Sequence, residues 1–430
     1  MKKKKVRQFC LYAALILVAL ALFSCQTSQP EQDPKNPAKS ESNSGTATEA
    51  GTGTKTEPET DTPQNPVISE PRGEFAMEHT LKMLKDEKKL TVAYIGGSVT
   101  DGYGAADAES ESWRALTTAW FRKQYPDAQI REVKASIGGT GSLLGVHRYD
   151  YEVLDEEPDL IFIEFAINDC HEARSYRDAI STMEGMVRKT LRTRPCADII
   201  IVLTTDEQRG ADEFDTMRAH IAVAKAYGIP YICVGQELVN HIKSSGEPWN
   251  TYFTDYVHPN ATGYAYYANV VIGRLEKLLN ETEKTAYTTP EKPLGSTDYI
   301  DAAIILPKKL MKSATADGFS WQYQSFSYLG DSRYGGIVTG RRQNATLTFT
   351  FSGTEFGLFY DTAPDAGTVS VTIDGQSYGD IDAYAENQFP VMKIVANNLS
   401  DGTHTVTIRI NGHHTSSNGY RFDLGAVLYR

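Results

Sequence analysis

Cysteine is scarce in this chain. Its 430 residues include five, and two of these, Cys10 and Cys25, fall in the first 25 positions. Cys170, Cys196 and Cys233 remain, with no paired spacing and no C-x-x-C. That excludes a disulfide-built scaffold and leaves buried thiols or one incidental bridge. Positive charge is also in short supply. Lys and Arg number 43 against 55 Asp and Glu, for a net charge of −12. Without the five basic residues Lys2–Lys5 and Arg7 the balance falls to −17, and no basic cluster is left, so nucleic acid is excluded as a partner. A third shortage is of aromatics between Gln26 and Arg72, where there are none among Pro30, Pro34, Pro37, Pro58, Pro63, Pro66, Pro71 and many Ser, Thr, Glu and Gly. Such a stretch buries too little apolar surface to offset its ordering entropy and is expected to be a disordered tether over 25–72.

Long apolar runs are lacking as well. The one present, Phe9–Phe23, has 15 residues, short of the roughly 20 a membrane-spanning helix needs. With its basic flank it has the anatomy of a signal peptide over 1–24. Leu22-Phe23-Ser24-Cys25 resembles a bacterial lipobox, which implies cleavage before Cys25, lipid attachment to it, and an exported lipoprotein held at a membrane, at the cell surface or in the periplasm. An ordinary signal peptide with an incidental cysteine is the plainer alternative.

From about residue 75 to 285, strand and helix patterns alternate. Leu90–Ile95 reads as a buried strand that stops abruptly at Gly96-Gly97-Ser98-Val99-Thr100-Asp101-Gly102. A serine there stands at the carboxyl end of a strand, where open α/β sheets place their ligands. Glu111–Tyr125 has helical spacing, and Ala128–Lys134 is a second strand, followed by Ser136-Ile137-Gly138-Gly139-Thr140-Gly141-Ser142. Leu160–Phe165 is a third, followed by Ala166-Ile167-Asn168-Asp169. Helices over 176–192 and 213–227, strands over 199–203 and 230–234, and a last helix with apolar positions from Tyr264 to Leu279 complete the pattern. Repeated strand–helix units imply a parallel sheet covered by helices on both faces. Just before the last helix stands Thr254-Asp255-Tyr256-Val257-His258-Pro259, in which a carboxylate three residues from an imidazole is placed to hold it.

Each motif alone is weak, since Gly/Ser turns and Asp–His turn pairs are common. Their order is specific. Gly-x-Ser, a glycine-rich turn, x-x-Asn-Asp and Asp-x-x-His-Pro, one after another, resemble the SGNH/GDSL hydrolase family over about 210 residues. The resemblance implies a three-layer α/β/α fold with a five-stranded parallel sheet and no metal or organic cofactor. It implies Ser98 as nucleophile, His258 as general base and Asp255 as its orienting acid. It also implies an oxyanion hole from Ser98, Gly139 and Asn168. Chemistry asks for the same set: a serine hydroxyl is a weak nucleophile until a base takes its proton. Two positions depart from the family: Gly97 stands in place of its Asp, and Ala166 in place of the Gly of Gly-x-Asn-Asp. Gly97 suits the carbohydrate-esterase-like branches.

His147, His171, His220 and His241 lack metal-ligand spacing and read as surface or satisfied polar groups, although His171, just past the Asn168 block, is placed to line a pocket. Trp249 is a second candidate for the pocket wall, with core packing the equal alternative. Asp101 and Asp169 are expected to organise their own loops.

From 296 to 430 helical periodicity stops. Short alternating runs at 343–351, 355–360, 368–373, 404–410 and 421–428, separated by Asp374-Gly375, Asp401-Gly402 and Asn411-Gly412, indicate an all-β sandwich. It resembles the jelly-roll, carbohydrate-binding-like domains appended to bacterial sugar-active enzymes. Trp321, Tyr323, Phe326, Tyr328, Tyr334 and Tyr384 either stack on sugar rings or pack in the core and brace the other domain. The expected activity is removal of O-acyl groups, acetyl foremost, from carbohydrate. The alternatives are a lipid or thioester acylhydrolase, an O-acyltransferase, and a non-catalytic glycan-binding surface protein.

Overall fold

The structure is a computed structural model that describes residues 72–280, 284–324 and 333–430. The leader, Cys25, the tether up to residue 71, Phe326 and Tyr328 lie outside the described residues. Five strands, β1 (Lys89–Gly96), β2 (Gln129–Ser136), β3 (Leu160–Glu164), β4 (Asp198–Val202) and β5 (Tyr231–Ile232), form one parallel sheet in the order β2-β1-β3-β4-β5. Successive residues of a strand face opposite sides, and here both sides are buried. Ala93, Ile95, Ile161, Ile163, Ile199 and Ile201 pack into one core, whereas Val92, Tyr94, Leu160, Phe162, Ile200 and Val202 pack into the other.

Helices α1 (Glu78–Lys85), α2 (Ser98–Asp101), α3 (Ala108–Glu111), α4 (Trp113–Gln124), α5 (Ser142–Glu152), α6 (Ala166–His171), α7 (Tyr176–Thr193), α8 (Asp215–Tyr227), α9 (Val234–Ser245) and α10 (Ala261–Leu279) fill the connections. α5, α7 and α8 cover the first face; α1, α4, α9 and α10 cover the second. The result is the three-layer α/β/α architecture. Its fifth strand is two residues long rather than 230–234, because Val234 already begins α9.

The rest is antiparallel. β6 (Ala303–Ile305), α11 (Pro307–Ser313), β7 (Thr315–Asp317), β8 (Phe319–Gln322), β9 (Ile337–Gly340), β10 (Thr346–Ser352), β11 (Phe356–Thr362), β12 (Gly367–Ile373), β13 (Gln376–Asp382), β14 (Phe389–Ala396), β15 (Thr403–His413) and β16 (Phe422–Tyr429) follow in turn. They form two sheets, β13-β12-β15-β10-β7 and β14-β11-β16-β9-β8, with β6 on the second through β16. Asp374-Gly375 is a hairpin turn as expected, both residues at positive φ between the paired Ile373 and Gln376. Asn411-Gly412 is not a turn. It lies inside β15, where Gly412 faces Thr368 and Ile410 faces Val369, so Asn411 is the extra residue of a β-bulge.

The expected contrast between a buried and a solvated face holds for β12, whose burial alternates, and fails for β11 and β16, which are almost wholly buried. The outer face of their sheet packs on the α/β half. Phe359, Ala426 and Leu428 share a cluster with Ile137, Leu144, Tyr334 and Ile337. Tyr334 braces the two halves, whereas Trp321 and Tyr323 are exposed and Tyr384 stacks on His414. Among the described residues no helix is long and apolar enough to cross a membrane.

Candidate active site

The strand register puts Ser136, Gly96 and Glu164 side by side at the carboxyl edge of the sheet. Two to four residues beyond these strand ends stand Gly139, Ser98 and Asn168, which brings three motifs distant in sequence to one rim. Ser98 is partly exposed and opens the single turn α2, whose first N–H groups have no partner within the helix.

The fourth motif arrives from the α9–α10 connection. His258 Nε2 lies 2.8 Å from Ser98 Oγ, and His258 Nδ1 lies 2.7 Å from Asp255 Oδ2. The other oxygen of Asp255 accepts the backbone N–H groups of Val257 at 2.9 Å and His258 at 2.8 Å, so the Asp-x-x-His spacing closes as a turn around its own carboxylate. Burial favours the neutral acid, but the His258 contact and these backbone donors outweigh it and hold the Asp255 carboxyl below the usual range. The loop is fixed from outside as well. Thr254 N–H donates to His258 O at 2.9 Å, and Trp249 Nε1–H donates to Asp255 O at 2.7 Å. Asn260 caps α10 by accepting from Thr262 and Gly263. Tyr103 packs edge-on against the imidazole, with ring centroids 4.6 Å apart.

Gly139 has φ +72° and is exposed, and a Cβ built there would meet nothing within 4 Å, so its backbone borders open space. Asn168 is buried, and its side-chain amide lies against Gly97. Asp169 ties these two elements together. Its carboxylate accepts Ser142 N–H at 2.7 Å and Ser142 Oγ–H at 2.8 Å, and faces His220 Nε2 at 2.9 Å. Asp101 links the first and second motifs by accepting from Ser136 Oγ at 2.9 Å. Both aspartates organise loops, as expected.

His171 stands one turn past Asn168 on α6, partly exposed, with Nε2 2.9 Å from Asp206 Oδ2 and its ring beside Tyr256. Arg209 donates to the same Asp206 oxygen and to Cys170 Sγ. Trp249, the second candidate, is half-buried, with its ring stacked on Phe253 at 3.8 Å and its one polar atom bonded to the Asp255 loop. The other histidines of this half are partnered, His147 by Leu143 O and Glu355, His220 by Asp169, and His241 by Tyr252. Cys196 and Cys233 are free thiols. Among the described residues no group of three His, Cys, Asp or Glu side chains is arranged to hold a metal ion.

One important residue escaped the sequence reading. Glu164, fully buried at the end of β3, accepts Thr100 Oγ1–H at 2.9 Å, Thr204 Oγ1–H at 2.7 Å and the N–H of Gly97. Burial pushes its carboxyl up, against these three donors. It fastens the turn that carries Ser98. The only signal was a carboxylate closing an otherwise apolar strand.

Residues 94–266 match the GDSL-like lipase/acylhydrolase family. Among solved structures, a two-domain esterase active on acetylated mannans, crystallised with mannopentaose and also without it, is similar over 84% and 83% of this chain and 95% of that one, with TM-score 0.70 and 21% identity. An acetylxylan esterase from Geobacillus stearothermophilus, a catalytic mutant, matches 43% of this chain and 94% of its own, with 18% identity and TM-score 0.37. No curated protein matches by sequence. The α/β half contains a GDSL-like lipase/acylhydrolase match that runs from β1 into α10. The fold of the chain, parallel α/β layers followed by antiparallel β-sheets, is that of the two-domain esterase across both halves.

Proposed function

We propose that the protein is a serine esterase that removes O-acyl groups, acetyl foremost, from carbohydrate through an acyl-enzyme at Ser98. The observation that carries this is the continuous chain Asp255–His258–Ser98 at 2.7 and 2.8 Å, on the same rim of the sheet as the open backbone of Gly139. In the first step Ser98 Oγ attacks the ester carbonyl carbon while His258 Nε2 takes its proton. The carbonyl oxygen becomes an oxyanion, held by the N–H groups of Ser98 and Gly139 and the side-chain amide of Asn168, each donor worth about 3 kcal/mol in the transition state. The C–O bond to the sugar then breaks, and His258 returns the proton to the departing hydroxyl oxygen. Water repeats the sequence on the acyl-Ser98 ester, with His258 again as base, and releases the carboxylic acid. Asp255 keeps Nδ1–H engaged, so Nε2 is the free base.

A sugar substrate is supported by the likeness of fold, over both halves, to an esterase active on acetylated mannans. The nucleophile is tested with a serine-directed fluorophosphonate and peptide mass analysis. Expected is stoichiometric modification of Ser98, lost in Ser98→Ala; modification elsewhere overturns the assignment. We propose also that Cys25 carries a lipid that tethers the enzyme to a membrane through residues 26–72. Cys25→Ser is expected to move the protein from the membrane to the soluble fraction, and unchanged membrane association contradicts the anchor.

A further inference from the structure

The β half does more than abut the catalytic half. Arg333, just ahead of β9, donates to the backbone carbonyl of Ser136 at 2.8 Å and to Glu152 Oε2 at 3.1 Å. Its neighbour Tyr334 donates to Glu152 Oε1 at 2.7 Å and is 3% exposed. Glu152, the last residue of α5, therefore has both oxygens engaged by the sandwich, and it also pairs with Arg148 at 2.8 Å. Arg148 in turn donates to the carbonyls of Ala135, the next-to-last residue of β2, and of Gly96, which ends β1. Ser136 is three residues ahead of Gly139. Between them Ile137 donates its N–H to Gly96 O at 3.1 Å and points its side chain into the apolar cluster with Tyr334, Ile337 and Phe359.

The segment that presents Gly139 is thus gripped at two points from the other half, by Arg333 at Ser136 and by the apolar cluster at Ile137. Gly139 itself, open on its outer side, has no side chain to fix it. An oxyanion donor must keep its position to within a fraction of an ångström to retain its effect, and a misplacement of about 1 Å costs on the order of 100-fold in rate. We propose that Arg333 and Tyr334 are positioning residues for catalysis, so that the β-sandwich completes the oxyanion hole by holding the Ser136–Gly139 segment through Glu152. This rests on the reading of Gly139 as an oxyanion donor.

The test is steady-state hydrolysis of a small aryl acetate by the full chain, with active sites counted by fluorophosphonate titration. A small ester makes no demand on glycan binding. Expected for Arg333→Ala is a kcat per titrated site lowered about tenfold or more, with KM little changed and the pH midpoint of kcat in place, because Ser98 and His258 are untouched. Arg333→Lys, which restores a cation beside Glu152, regains part of the loss. Tyr334→Phe keeps the ring in the interface, deletes one hydrogen bond and lowers kcat per site in the same direction. Arg342→Ala, an exposed position of the same half, leaves it at the parent value. A contact that is merely structural would reduce the number of titratable sites or the melting temperature and leave the rate per site unchanged; that result in Arg333→Ala and Tyr334→Phe overturns the proposal. Ser98→Ala run beside them separates the two failures. Activity surviving in Ser98→Ala would remove the active-site reading itself, whereas an inactive Ser98→Ala with a normal Arg333→Ala would remove only the role of the sandwich.

Discussion

At Gly97 an added methyl carbon would lie 2.3 Å from Asn168 Oδ1 and 2.7 Å from its Nδ2. In this chain the Asn168 amide occupies the space that a side chain at position 97 would need. Gly97→Ala is expected to displace Asn168 and lower kcat/KM by about 100-fold, the loss typical of one oxyanion donor, with an overpacking cost of about 1–3 kcal/mol in stability. Kinetics beside urea unfolding check both, and parent-like kinetics would show that Asn168 has no such role. The reacting groups were legible at this scale because each sits in a short motif whose chemistry is local: a serine after glycines, an imidazole three residues from a carboxylate. Glu164 was not, because its three donors, Gly97, Thr100 and Thr204, come from two other segments. Trp249 was legible as an aromatic near the site, but not as a residue stacked on Phe253.

Elements were legible where one pattern decided them. The apolar strands β1, β3 and β4 and the long helices α7 and α10 fall within a few residues of their expected positions. The failures have physical causes. β13 and β14 lie at sheet edges with much of their surface exposed, and so lack a clean alternation. Asn411-Gly412 resolves as a bulge because β15 continues past it to pair with β12. α1 supplies a prediction at this scale. It is docked by His79, whose ring is 3.0 Å from Asp159. Burial lowers the imidazole's affinity for a proton, but hydrogen bonds to Asp159 and Cys196 outweigh it and bring its pKa from 6.5 up to about 9. The folded state thus holds a proton that the unfolded chain releases. Its contribution to stability is complete below the unfolded value and is lost as pH rises through the folded one. The difference in melting temperature between the parent and His79→Gln is therefore expected to be larger at about pH 6 than at about pH 9.5. A difference independent of pH would contradict it.

For the whole molecule, the sequence pattern changes from alternating strands and helices to short strands alone, and the sheets follow that order, parallel first and antiparallel after. What it does not display is how the halves meet, because Tyr334, Phe359 and Leu428 look like ordinary sandwich residues until the α/β half is seen against them. His147 and Glu355, both buried and 3.3 Å apart, add a polar contact across the same boundary. A boundary of this kind couples the halves. A single calorimetric transition is expected for the chain from residue 72 onward, and Phe359→Ala, at about 3–5 kcal/mol for a buried phenylalanine, is expected to lower it or split it. Two transitions in the parent would contradict the coupling. Acetate release tests the nature of the substrate most directly. The protein and Ser98→Ala are given acetylated mannan, acetylated xylan and p-nitrophenyl esters of short and long acyl chains. Acetate from a glycan, preference for the short ester, and no release by Ser98→Ala is the expected result. Preference for long acyl chains with no acetate from any glycan would contradict the carbohydrate reading and make the protein an acylhydrolase of lipids.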